Sequence, residues 1–259
     1  MSAAVKLHHT VDGAIGSRVL LLAGSLGTTL QMWEPQLAAL SPVATLVRFD
    51  HRGHGGSPAP AGPYAIDDLG RDVLALMDDL ELGHATFCGL SIGGMVGQWL
   101  AINAPERIDR VILLCTGAHL PPAEQWLERA AAVRSAGTAE VLADAVVARW
   151  FTEPFAAANP DTVERHRAMI AATDPGGYAA CCEAIAAMDL RAGLPSVRAP
   201  ALVVSGAQDP SIPAEHGRAI ARAVPGARFE LLDPGAHLAT VERADVVNEL
   251  VAGFMEQSG

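Results

Sequence analysis

The stretch "ATFCGLSIGGMVGQWLA", residues 85–101, decides the fold. It reads as a short apolar strand, a sharp turn and a helix in direct succession. Ser91 sits at the turn, with Gly89 two residues before it, Gly93 two residues after, and Gly94 next. A turn this tight holds its central residue in a strained backbone conformation and leaves room only for small neighbours. The helix beginning at Ile92 points its first amides at the serine, where negative charge would develop during attack on a carbonyl. Such a turn displays a nucleophile; a glycine-rich turn with an idle serine is the plainer alternative.

Outward from this stretch, short apolar runs alternate with helical patterns. The runs at 18–24 ("RVLLLAG"), 44–50, 85–89, 110–116, 200–206 and 228–233 have the length and flanking turn residues of buried strands. Helical patterns fall near 31–40, 67–80, 92–103, 214–223 and 242–256. This alternation predicts an α/β architecture, a mostly parallel central sheet with helices on both faces. Residues 120–194 break the rhythm. They carry helical patterns near 122–135, 138–150, 161–172 and 177–188, punctuated by Pro154, Pro160 and Pro175, and no strand pattern. The expected organisation is therefore a core domain from 1–119 and 195–259, with a helical cap at 120–194 inserted between two strands.

Composition narrows the function. Of the 259 residues, 50% are apolar and 18% charged, enough for a large core, and with aromatics at 5% alanine and valine must fill much of it. The formal net charge of −11 and the lack of any Lys/Arg run argue against nucleic-acid and anionic-membrane partners. A small anionic substrate stays possible, because a few arginines in a pocket outweigh the global charge locally. No apolar run reaches the ~18–20 residues of a membrane span, and "MSAAVKLHHTVDG" has no signal-peptide pattern, so a soluble cytoplasmic protein is expected. Cys88, Cys115, Cys181 and Cys182 lack metal-ligand spacing and read as free buried thiols.

A serine nucleophile needs a base, and nine histidines compete. His237 lies in "LLDPGAHLATVERAD" (231–245), between the last strand and the last helix. It completes the chain order serine, acid, histidine. The acid belongs in a loop after a strand between the two. Asp209 in "PALVVSGAQDPSIP" (200–213) fits; Asp233 is the rival, set too close before the histidine for good reach. The acid would orient the imidazole and stabilise its charged form without taking the proton. Two backbone amides should hold the oxyanion, one from Ile92 and one from Leu26 in the glycine-rich loop of "LLLAGSLGTTLQMW" (20–33).

From about residue 12 to 256 the chain resembles the α/β-hydrolase superfamily, whose D-x-R-G-x-G-x-S loop is matched by "DHRGHGGS" (50–57). More narrowly it is similar to the 3-oxoadipate enol-lactonases, through "SLGTTLQMWEPQLAAL" (25–40), "FCGLSIGGMVG" (87–97), "ARWFT" (148–152), "GGYAACCEAIAAMDLR" (176–191) and "VERAD" (241–245). It departs from that pattern at Gly24, where the family often carries Asn, and at Ile92, often Met. The resemblance implies attack of Ser91 on a lactone carbonyl, His237 as base, an acyl-enzyme, and no metal or organic cofactor. The implied substrate carries a carboxylate, for which the cap should supply a partner. Trp126 and Arg134 are the favoured pair, with Arg129 and Arg149 as the other candidates. A general carboxylesterase, a perhydrolase, a carbon–carbon bond hydrolase and a slow or vestigial receptor of the same fold are the competing expectations.

Overall fold

The computed structural model describes residues 3–13 and 18–256. The expected core domain also takes in residues 1, 2, 14–17 and 257–259, which lie outside that range. Seven strands form one sheet: β1 (His9–Asp12), β2 (Val19–Ala23), β3 (Thr45–Phe49), β4 (Ala85–Leu90), β5 (Ile108–Leu114), β6 (Ala201–Gly206) and β7 (Arg228–Leu232), in the order β1-β3-β2-β4-β5-β6-β7. Every pairing is parallel except β1 with β3. Every residue of β2, β3, β4 and β6 is buried, as a parallel sheet covered on both faces requires.

Strand order positions the site. The chain leaves β2 outward to β3, returns to β4 on the other side of β2, and moves outward again to β5. Loops leaving the carboxyl ends of β2 and β4 therefore diverge and open a crevice, the usual ligand site of such sheets. Those loops carry Leu26 and Ser91; the loops after β6 and β7 carry Asp209 and His237. Helices α1 (Glu34–Leu40), α2 (Ile66–Asp79) and α3 (Ile92–Asn103) alternate with the first strands.

Between β5 and β6 the described residues form helices only: α4 (Ala123–Ala136), α5 (Ala143–Val147), α6 (Glu153–Ala158), α7 (Pro160–Ala172) and α8 (Pro175–Ala187), with α4 packed against α8. The expected helix over 138–150 is instead a 3-10 turn at Ala139–Leu142 followed by the short α5. Helix α6 is an addition. Pro154, Pro160 and Pro175, read as punctuation, each stand in the first turn of a helix. There the missing amide costs nothing and the fixed φ favours the helix. Helix α9 (Ala214–Ala223) precedes β7. The last helical pattern divides at Arg243 into α10 (Ala239–Glu242) and α11 (Ala244–Glu256). No helix of the described residues is long and apolar enough to cross a membrane.

Candidate active site

Ser91 sits between β4 and α3 with φ 59° and ψ −117°, a conformation that costs a non-glycine residue roughly 1–3 kcal/mol. Its surroundings hold it there. The Ser91 amide donates to the Leu114 carbonyl at 2.9 Å, and the Thr116 hydroxyl donates to the Ser91 carbonyl at 2.7 Å. The flanking glycines are needed for close backbone approach. A Cβ on Gly89 would lie 2.2 Å from the Gly93 carbonyl oxygen, and one on Gly93 would lie 2.3 Å from that of Ala23. Gly89→Ala should therefore destabilise the fold by at least the upper end of the ~1–3 kcal/mol usual for overpacked sites. Urea unfolding measures this directly, and a wild-type midpoint would contradict the close approach.

His237 and Asp209 meet in the structure. The imidazole Nδ1 lies 2.8 Å from Asp209 Oδ2, and both side chains are buried. The other carboxylate oxygen, Oδ1, accepts from the amides of Ser211 (2.8 Å) and Ile212 (3.0 Å), which fixes its rotamer. With a carboxylate at Nδ1, that nitrogen carries the proton and Nε2 is left with its lone pair free to accept one. Asp233 takes no part: it is exposed and accepts from Gln208 at 3.3 Å. Gln208 also ties the two loops together. Its side-chain oxygen accepts from the Gly235 amide (2.7 Å) and its own amide donates to the Gly235 carbonyl (2.9 Å).

Ile92 follows Ser91 directly and Leu26 lines the same cavity as Ser91, and among the described residues neither backbone amide donates a hydrogen bond within the protein. Ile92 opens α3, so its amide has no helical acceptor. The loop bearing Leu26 is braced from the 50–57 segment. His51 Nε2 donates to the Gly24 carbonyl at 3.1 Å, and the Gly27 amide donates to His54 Nε2 at 2.9 Å. Both rings are buried, and burial pushes His51 down to about 4 and His54 downward too; His54, which accepts at Nε2, carries its one proton on Nδ1, facing the Arg52 carbonyl at 3.1 Å. Asp50 accepts from the amides of Leu30 (2.6 Å) and Gly56 (2.9 Å), joining the same two segments. Gly24 has no room for a side chain, since a Cβ there would lie 2.7 Å from Thr28 Oγ1 and 2.9 Å from Met32 Sδ. Thr28 and Met32 fill the space under the loop and bond to each other at 3.0 Å.

Ser91, His237, Ser25 and Leu26 line a cavity of about 700 Å³, roofed by residues of α4 and α5. Trp126, Arg129 and Arg149 are on its wall; Arg134 is not. Arg134 is a correction. It lies at the surface in a two-pronged pair with Glu183, 2.9 and 2.8 Å to the two carboxylate oxygens. Arg129 is held differently. Its guanidinium stacks between the rings of Trp126 (5.4 Å) and Tyr178 (5.3 Å) and donates to the Tyr178 hydroxyl, and no carboxylate among the described residues pairs with it. Burial pushes Tyr178 up to about 12, so that hydroxyl is neutral. Arg149 is also unpaired but exposed, and Glu128 adds one negative charge to the wall. His216 completes the cavity lining on the α9 side.

Sequence reading missed the bracing roles of His51 and His54, the Tyr178 contact, and Glu242, whose carboxylate accepts from the Ala236 amide at 3.0 Å. Only the first had a signal, the D-x-R-G-x-G-x-S pattern itself. All four cysteines are free and buried, with thiols pushed up by burial. Among the described residues no group of three His, Cys, Asp or Glu is placed to hold a metal ion.

A profile described as alpha/beta hydrolase fold matches residues 18–244. The chain is 39% identical over 253 residues to 3-oxoadipate enol-lactonase 2 of Acinetobacter baylyi, covering 98% of this chain and 94% of that protein. The crystal structure of the enol-lactonase from Burkholderia xenovorans LB400 superposes with a TM-score of 0.95 at 44% identity, over 98% of this chain and 97% of that one. A thermophilic esterase from Thermogutta terrifontis, solved with malate bound, superposes with a TM-score of 0.90 at 28% identity, over 97% and 93%.

Proposed function

The chain belongs to the alpha/beta hydrolase family, and on that premise we propose that it opens 3-oxoadipate enol-lactone by serine catalysis. One observation carries the chemistry: a strained Ser91, followed directly by the unspent amide of Ile92, lines one cavity with Leu26 and with His237, whose imidazole is held by buried Asp209. Ser91 Oγ attacks the lactone carbonyl carbon while His237 Nε2 takes the hydroxyl proton. The oxyanion rests on the Leu26 and Ile92 amides, which are already fixed and so need no reorganisation. The ring C–O bond then breaks. Its oxygen leaves as an enol, taking the proton from His237, and the enol tautomerises to the ketone. Water, deprotonated by His237, attacks the acyl-enzyme and releases 3-oxoadipate and Ser91. Asp209 keeps the imidazole in the right tautomer and stabilises its charged form.

Substrate choice rests on Arg129. A guanidinium suits a carboxylate because it offers parallel donors, and Arg129 is already stacked in place and unpaired with acid. A charge-assisted hydrogen bond is worth about 1.5–3 kcal/mol. Arg129→Ala should therefore raise KM for the anionic lactone about ten- to a hundred-fold, with little change for neutral p-nitrophenyl acetate. Arg134→Ala should leave both substrates unaffected. Steady-state kinetics on the two substrates checks this. The cavity's apolar wall of Leu120, Trp126, Val146 and Ile212 also suits a neutral acyl chain. Equal effects of Arg129→Ala on both substrates would favour a general esterase.

A further inference from the structure

Two stretches of the family resemblance, "ARWFT" and "VERAD", have no part in the chemistry above, yet they meet in space beside the base. The Glu242 carboxylate accepts from the Ala236 amide at 3.0 Å, from the Thr152 amide at 3.3 Å through both oxygens, and from the Thr152 hydroxyl. On the other side of His237, the Leu238 amide donates to the Trp150 carbonyl at 2.9 Å. His237 is thus gripped through both of its chain neighbours by the segment between α5 and α6. Trp150 itself is buried and lines the substrate cavity. Glu242 closes a turn on the same loop, its amide donating to the Leu238 carbonyl at 3.0 Å, which folds its side chain back over Ala236.

We propose that Glu242 is a positioning residue for the base: it fastens the loop carrying His237 to the cap segment Trp150–Thr152, so that base and cavity wall move as one piece. The proposal rests on the serine-hydrolase reading but not on the choice of substrate. A carboxylate only accepts, and this one faces three donors from two separate segments. No backbone hydrogen bond replaces the Ala236-to-Thr152 link when the side chain is removed. Among the described residues the Leu238–Trp150 bond is then the one hydrogen bond left between the loop and the cap segment, while the ties to Gln208 and Asp209 stay, so base and cavity wall can shift against each other and the imidazole against Ser91. Misplacing a reacting group by about 1 Å can cost on the order of a hundred-fold in rate.

The test uses Glu242→Ala, Glu242→Gln and Thr152→Val, assayed on p-nitrophenyl acetate and the enol-lactone beside Ser91→Ala, with thermal melts. In Glu242→Ala, kcat should fall roughly 10- to 100-fold on both substrates, with KM within about twofold. Glu242→Gln should recover most of that loss. Its amide oxygen can accept from Ala236 while its NH2 donates to the Thr152 hydroxyl oxygen. Thr152→Val should show a smaller fall of about two- to fivefold, again in kcat alone. A purely structural side chain would lower the melting temperature and leave kcat of the folded enzyme untouched. Native kcat in folded Glu242→Ala, or a glutamine variant as slow as the alanine one, would overturn the proposal. If the alanine variant does not fold, native kcat in Thr152→Val overturns it instead. Ser91→Ala separates the layers: if it keeps wild-type turnover, the underlying serine chemistry is wrong, whereas an inactive Ser91→Ala beside a native Glu242→Ala refutes the positioning role alone.

Discussion

Replacing Ser91 with alanine should lower kcat by roughly a hundred-thousand- to a million-fold, with the fold intact. Alanine retains the Cβ that already tolerates φ 59° at this turn, and the backbone bonds to Leu114 and Thr116 do not involve the hydroxyl. The melting temperature should therefore stay near wild type. Some rate should survive, because the Leu26 and Ile92 amides still stabilise an oxyanion formed by water attack. His237→Ala should be about as damaging. The double variant should be hardly worse than either single one, since the pair acts as a unit. Additive losses would mean that the two side chains work independently, and near-native turnover in Ser91→Ala would remove the nucleophile from the mechanism.

Asp209→Asn carries the second largest effect, through the tautomer of His237. Asp209 Oδ1 is pinned by the amides of Ser211 and Ile212. An asparagine must keep its carbonyl oxygen there and turn its NH2 toward His237. That NH2 donates to Nδ1, forces the ring proton onto Nε2, and removes the lone pair that should take the serine proton. A fall in kcat of roughly a thousand- to ten-thousand-fold is expected near neutral pH, with little change in stability. Assays on p-nitrophenyl acetate with a parallel melt would establish it. A mild effect would leave Asp209 as a turn residue only. Asp233→Asn, at an exposed position beyond reach of the base, should cost nothing.

The sheet was legible because parallel strands must be apolar on both faces, which leaves unbroken runs such as "VLLLA" and "ALVVSG". β1 was not. Its four residues, "HTVD", show no such run, since it lies antiparallel at the edge with a half-exposed face. Partners distant in sequence hold it: Arg48 donates to Asp12 at 2.8 Å, and His8 meets Asp50 at 2.8 Å. The turn at Ser91 was legible because its constraint is steric, and only glycine satisfies it at 89 and 93. Arg134 is turned from the cavity by tertiary packing, its guanidinium held by Glu183 of α8. At roughly 100° per residue, Trp126 and Arg129 lie within about 60° of each other, whereas Arg134 lies about 140° from Arg129. Measured from Trp126, however, Arg129 lies about 60° to one side and Arg134 about 80° to the other, so spacing alone did not choose between them; the packing of α4 on α8 did, by engaging Arg134 with Glu183. Glu242 was not readable, because nothing local tells a carboxylate near a helix end that two of its three donors lie 90 residues away on Thr152.

The enol-lactone itself provides the decisive measurement. Purified protein at catalytic concentration should abolish the substrate's ultraviolet absorbance over many turnovers per active site. Arg129→Ala should do so only at much higher substrate concentration, and Ser91→Ala not measurably. Absorbance that stays constant, or falls by one equivalent and stops, while neutral esters turn over freely, would contradict the assignment of an anionic enol-lactone as the substrate.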